Sequence, residues 1–103
     1  KIFRKLKTKG GGFMVINIKE KLGEKVHIED AILLRDMVKS NLDKGVVLDF
    51  KGLGNIPSTF LNVLLEDLIN ESGRETIFNK INVKNLSNYR DYSRVVLGTA
   101  FQQ

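Results

Sequence analysis

Residues 46–68 read VVLDFKGLGNIPSTFLNVLLEDL, and the fold is decided there. Val46, Val47, Leu48, Asp49 and Phe50 form a nearly continuous apolar run, the pattern of a strand covered on both faces in a parallel sheet. Gly52, Leu53, Gly54, Asn55, Ile56 and Pro57 then make a turn. Phe60, Leu61, Leu64, Leu65 and Leu68 follow at helical spacing, with Ser58 or Thr59 as the expected N-cap and Gly73 as the C-terminal stop. A strand feeding a helix through a short turn is the repeating unit of an α/β protein.

The same alternation extends on both sides. Upstream, Phe13, Met14, Val15, Ile16 and Ile18 read as a first strand, with Gly23 in the loop after it. From Ile28 to Leu42, apolar residues at Ile28, Ala31, Ile32, Leu34, Met37, Val38 and Leu42 predict an amphipathic helix that is acidic at its start. Gly45 closes the polar stretch that follows. Downstream, Ile77 and Phe78 are followed by Ile81, Asn82, Val83 and Lys84, where alternation of apolar and polar residues predicts a third strand; Asn85 to Asn88 read as a turn and capping segment, and Tyr89, Tyr92, Val95, Val96 and Phe101 as a last helix. The expected architecture is a single small α/β domain of about three strands and three helices around a mostly parallel or mixed sheet.

Size and composition agree. A chain of 103 residues and 11.7 kDa buries about two thirds of its surface on folding, enough for one core and too little for two. With 42% hydrophobic and 28% charged residues it lies far from the composition of a disordered chain. There is no cysteine, which excludes disulfides, thiolate metal sites and cysteine nucleophiles. His27 is the sole histidine, so neither a multi-histidine metal centre nor a Ser-His-Asp triad is expected. No apolar run approaches the roughly 20 residues of a membrane span.

The net charge of +5 is unevenly placed. Lys1, Arg4, Lys5, Lys7 and Lys9 account for it, and residues 14–103 carry equal numbers of basic and acidic groups. The division expected from this is a basic leader, tag or linker over 1–13 and a domain over 14–103, with Met14 a plausible start. The alternative function carried by the basic segment is an arm that binds nucleic acid or another anionic surface through salt-sensitive contacts. Nucleic-acid binding is not expected for residues 14–103, where no helix-turn-helix or RNA-binding aromatic motif occurs.

Several residues invite a chemical reading. Asp49 stands at the carboxyl end of the central strand, where α/β proteins place functional groups, and it also suits acceptance of hydrogen bonds from the following turn. Gly52 and Gly54 do not make a phosphate loop, because no Gly-Lys-Ser/Thr follows. No histidine or lysine stands beside Ser58 in sequence to activate it, so no catalytic residue and no cofactor is assigned. Arg74, Arg90 and Arg94 suit a phosphate or a partner carboxylate, although Asp91 beside the last two also suits a solvated charged face. His27 suits a capping place before the first long helix.

The string Val46, Val47, Leu48, Asp49, Phe50, Gly52, Leu53, Ile56, Ser58, Thr59 and Phe60 resembles STAS domains, the sulfate-transporter and anti-sigma-factor-antagonist family. More closely it is similar to a STAS-like bacterial family of unknown function. The resemblance implies a cytoplasmic, non-catalytic regulatory module that binds a protein partner of the GHKL ATPase or serine-kinase type and is switched by phosphorylation at the helix start. Carried onto this chain, the phospho-acceptor place falls on Ser58, with Thr59 beside it, and the contact surface on Asp49, Asn55, Pro57, Ser58 and Asn62. Antagonists of this class usually carry Asp before the serine and Gly two places after it; here Pro57 and Phe60 stand there, which predicts a packed helix start. Homo-oligomerisation through a sheet edge or the last helix is left open.

Overall fold

The computed structural model describes residues 13–98. The elements are β1 (Met14–Asn17), α1 (Ile18–Leu22), α2 (Ile28–Asn41), a 3-10 turn (Leu42–Lys44), β2 (Val46–Asp49), α3 (Ser58–Ser72), α4 (Arg74–Lys80), β3 (Ile81–Lys84) and α5 (Tyr89–Leu97). The three strands lie in chain order and are parallel throughout, so the sheet is not mixed. Met14, Val46 and Ile81 are in one register row, and Ile16, Leu48 and Val83 in another. These rows form the sheet's contribution to the core, which includes Leu34 and Val38 of α2, Phe60, Leu64 and Leu68 of α3, Ile77 of α4 and Val96 of α5. Val46, Val47 and Leu48 are all fully buried, as a central strand requires.

Two helices beyond the expected three appear. Ile18 opens α1 instead of ending the strand, because Asn17 Oδ1 accepts the Glu20 N–H at 3.0 Å and so starts a helix. Ile77 and Phe78 lie in α4, and the strand is confined to Ile81–Lys84. Gly73 makes that second change of direction. At φ 89° it ends α3, its N–H donating to the Ile69 carbonyl, and the next residue begins α4.

Two further expectations are corrected. The N-cap of α3 is Pro57, whose carbonyl accepts the Phe60 N–H at 3.0 Å, and not Ser58 or Thr59, which are already helical. Proline's fixed φ suits this junction, and the two hydroxyl side chains are thereby turned outward rather than used as caps. Ile28 and Ile32, read as part of the buried stripe of α2, are each 43% exposed; Ala31, Leu34 and Val38 carry the packing. Phe101, the last residue read into the final helix, lies outside the described residues, as do residues 1–12. Asp30 accepts the His27 N–H at 2.9 Å, which places His27 at the start of α2 in the capping role expected for it.

All the long helices run the same way, as repeated strand–helix–strand crossovers demand. Arg35 pairs with Asp67 at 2.9 Å and, one turn on, Lys39 pairs with Glu71 at 3.0 Å, so α2 and α3 are parallel and in register. Exposed pairs like these contribute about 0.2–1 kcal/mol each and serve chiefly to set the alignment.

Candidate functional site

The carboxyl ends of β2 and β3 carry two loops, 50–57 and 85–88, that are tied together side chain by side chain. Asp49 Oδ1 accepts from Asn85 Nδ2 at 2.9 Å and from the Lys51 N–H at 3.0 Å. The Lys51 bond is a local Asx turn, and the Leu53 N–H closes on the Phe50 carbonyl at 3.1 Å around Gly52 at φ 85°. Ser87 Oγ donates to Asn55 Oδ1 at 2.6 Å. Asn88 brackets the backbone of Ile56: its Oδ1 accepts the Ile56 N–H at 2.9 Å, and its Nδ2 donates to the Ile56 carbonyl at 2.7 Å. Complementary partners at the two ends of one amide fix its orientation.

This arrangement accounts for the acidity of Asp49. The hydrogen bond from Asn85 holds its carboxyl below the usual value; partial burial opposes this, and the Lys51 amide and the charges of Lys84 and Lys51 add to it. A carboxyl with a depressed folded-state pKa contributes stability above its unfolded pKa and loses it as pH falls through the folded value. We expect urea midpoints of the wild type and Asp49→Asn to differ by a constant amount from pH 8 to 5 and to converge below about pH 4. The effect is no larger than about 1 kcal/mol, because the carboxylate is half-exposed and screened by solvent.

Behind the loops, α3 and α5 run parallel. Ile56 and Asn88 join their starts, and at the far end Arg74 Nη1 donates to the Val95 carbonyl at 2.8 Å. Between them lies a groove of about 650 Å³ lined by Ser58, Asn62, Glu66, Asn70, Arg74 and Arg94, with Asp91 and the apolar Ile69 and Val95 completing it. Ser58 is at the α3 start, exposed, and its hydroxyl has no hydrogen-bond partner among the described residues. Phe60 and Leu61, two and three positions on, are fully buried. The packed helix start expected from Phe60 is therefore compatible with an accessible Ser58.

The candidate residues divide into two groups. Ser58 and Asn62 share the groove; Thr59 is exposed but does not line it. Asp49 and Asn55 belong to the loop ties, and Pro57 is the exposed link between the groups. The three arginines also separate. Arg74 caps the carbonyls of α5, and Gly98 lets it in: a Cβ there would stand 2.8 Å from the guanidinium carbon. Arg94 lines the groove and lies 3.8 Å from Asp91, beyond hydrogen-bonding range, while Arg90 is exposed and outside the groove. Tyr92 is buried and Tyr89 half-exposed beside it, the rings 5.7 Å apart. Burial, with Tyr89 adding, pushes the Tyr92 hydroxyl well above its ordinary pKa.

Asn88 and the capping role of Arg74 were not singled out from sequence. The segment 85–88 reads as an ordinary turn, and nothing in the chain order places it against Ile56. Among the described residues no helix is long and apolar enough to cross a membrane.

A parallel three-stranded α/β module with its polar loops gathered at the strand ends is the class of protein defined here. The model of the family described as "STAS-like domain of unknown function (DUF4325)" matches residues 30–91, more than half of the chain, and the protein belongs to that family. No curated protein and no solved structure gives a match.

Proposed function

We propose that this chain is a non-catalytic regulatory module that binds a protein partner through the segment Asn55–Asn62 with Asp49 behind it, and that Ser58 is its switch. The observation that carries the reading is the accessible Ser58 hydroxyl, without a hydrogen-bond partner among the described residues, on a helix start anchored by fully buried Phe60 and Leu61. A kinase can reach that hydroxyl without unfolding the domain. Thr59, exposed one place on, is the second acceptor.

The partner class is a GHKL-type ATPase or serine kinase. In the transfer the Ser58 Oγ–P bond forms as the bond from the γ-phosphorus to the β–γ bridging oxygen of ATP breaks. ADP leaves, and the hydroxyl proton passes to a base on the kinase. The product adds about two negative charges to the docking surface. Any partner contact that buries Ser58 is then opposed by desolvation and by repulsion from like charge. Residues 14–103 are the interacting domain in this reading, and the basic segment before it is a leader, tag or linker.

The test uses proteins recovered with the chain from its native host under several nucleotide conditions. For a recovered partner, Ser58→Asp is expected to weaken binding about tenfold or more, a difference of about 1.4 kcal/mol. Ser58→Ala should bind within about twofold of wild type, since no cap is lost. Equal effects of the two substitutions, or no protein partner under any nucleotide condition, would overturn the proposal.

A further inference from the structure

Arg94 is the guanidinium of the α3–α5 groove whose donors are least committed. Arg74, in the same groove, is fixed on the Val95 and Val96 carbonyls at 2.8 and 3.4 Å. Among the described residues Arg94 makes only the 3.8 Å contact with Asp91, between side chains 53% and 35% exposed, and such a pair contributes little. Its direction is favourable as well. Side chains of a helix lean toward its N-terminus, and the Asp91 contact shows Arg94 doing so, back toward the end of α5 that meets Ile56. Ser58 stands two residues beyond Ile56 and lines the same groove.

We propose that Arg94 is the internal receptor of a phosphoryl group on Ser58, exchanging its loose contact with Asp91 for a charge-assisted, forked one with phosphate. The inference rests on the reading of Ser58 as a switch and adds how the modified state is held. A guanidinium matches phosphate oxygens in paired geometry, and both partners gain over a carboxylate held beyond hydrogen-bonding distance. With the phosphoryl group drawn over the groove, Arg94 closes the space between Ser58 and Asn62 on one side and Asp91 on the other. Modification therefore covers the groove as well as charging it.

The charged groups facing this place are Glu66 on α3, Arg74 on α4, and Asp91 and Arg94 on α5. The two acids raise the second pKa of a phosphoserine, and the two arginines and the positive end of α3 lower it. Of the two groove arginines, Arg74 is committed to the α5 carbonyls, so removal of Arg94 is the informative change. The experiment installs phosphoserine at position 58 of the full chain during synthesis, with no kinase involved, and follows its phosphorus resonance through a pH titration. A free phosphoserine titrates near pH 6. The second pKa is expected to lie about one unit lower in the wild type than in Arg94→Gln. Arg90→Gln, altering the exposed neighbour outside the groove, should match wild type, and Asp91→Asn should lower the value further. Equal values in wild type and Arg94→Gln would overturn the proposal. Because the phosphoryl group is placed chemically, the absence of a cellular kinase or partner would count against the proposed function and leave this result standing.

Discussion

Phe60→Ala is expected to lower the stability of the domain by about 3–5 kcal/mol, the cost of deleting a buried ring from a packed core. Phe60 is fully buried in the first turn of α3, in a core that also holds Leu64, Leu68 and the sheet residues Leu48 and Val83. The loss is a large fraction of the roughly 5–15 kcal/mol that holds a domain of this size together. Thr59→Ala, one residue away, is the contrast. Its side chain is exposed and makes no cap bond, so a change within about 0.5 kcal/mol is expected. Chemical denaturation of the three proteins measures both. If Phe60→Ala cost less than about 1 kcal/mol, the first turn of α3 would not be anchored, and the argument that Ser58 is presented on a rigid base would fail. The two neighbours thus separate anchoring from presentation within one helical turn.

The legible part of this fold lay where periodicity and punctuation agreed. In residues 46–68 an apolar run, two glycines, a proline and a leucine stripe each have one reading, and β2, the turn and α3 are found there. The segment 74–84 was less clear, because Ile77 and Phe78 are adjacent and apolar and therefore look like part of a strand. In the structure they fall on a helix of seven residues whose limits come from Gly73 before it and the sheet after it. That is tertiary context overriding a short local pattern. For α1 a usable signal was present: Asn17 followed three residues later by Glu20 is a helix-start pattern, and it outweighs the β-branched Ile18.

Site residues were legible in proportion to their nearness in sequence. Asp49 suits both a functional group at a strand end and an acceptor for the following turn, and the Lys51 N–H bond shows the second, local role. Its second bond comes from Asn85, 36 residues away, at φ 59°, a conformation asparagine tolerates better than most residues. Arg74, Arg90 and Arg94 could not be ranked from their spacing. Their roles depend on the alignment of α4 and α5, which places one on helix carbonyls, one in the groove and one in solvent. Long-range pairings of this kind are what a strand-and-helix reading leaves undetermined.

Asn88→Ala is expected to cost about 2–4 kcal/mol, more than its partly exposed side chain suggests. The substitution removes the partner of two backbone groups at once, the Ile56 N–H and the Ile56 carbonyl, on a residue only 3% exposed. A buried backbone group left without a partner costs about 1–3 kcal/mol. Loss of a helix cap is not part of the sum, since the Asn88 side chain makes no cap bond on α5. Asn88→Asp separates the two halves of the bracket. It keeps an acceptor for the Ile56 N–H but sets a second oxygen against the Ile56 carbonyl and the Asp91 carboxylate, which Asn88 Nδ2 now meets at 3.1 Å. The introduced carboxyl therefore has a raised folded-state pKa. A group of that sign favours the folded state below its unfolded pKa and loses the contribution as pH rises through the folded value. Urea midpoints should show Asn88→Asp destabilised at pH 7 and approaching the wild type toward pH 4, with Asn88→Ala showing no such recovery. Parallel behaviour of the two variants across that range would mean that the bond donated by Asn88 Nδ2 to the Ile56 carbonyl contributes little to holding the loops together.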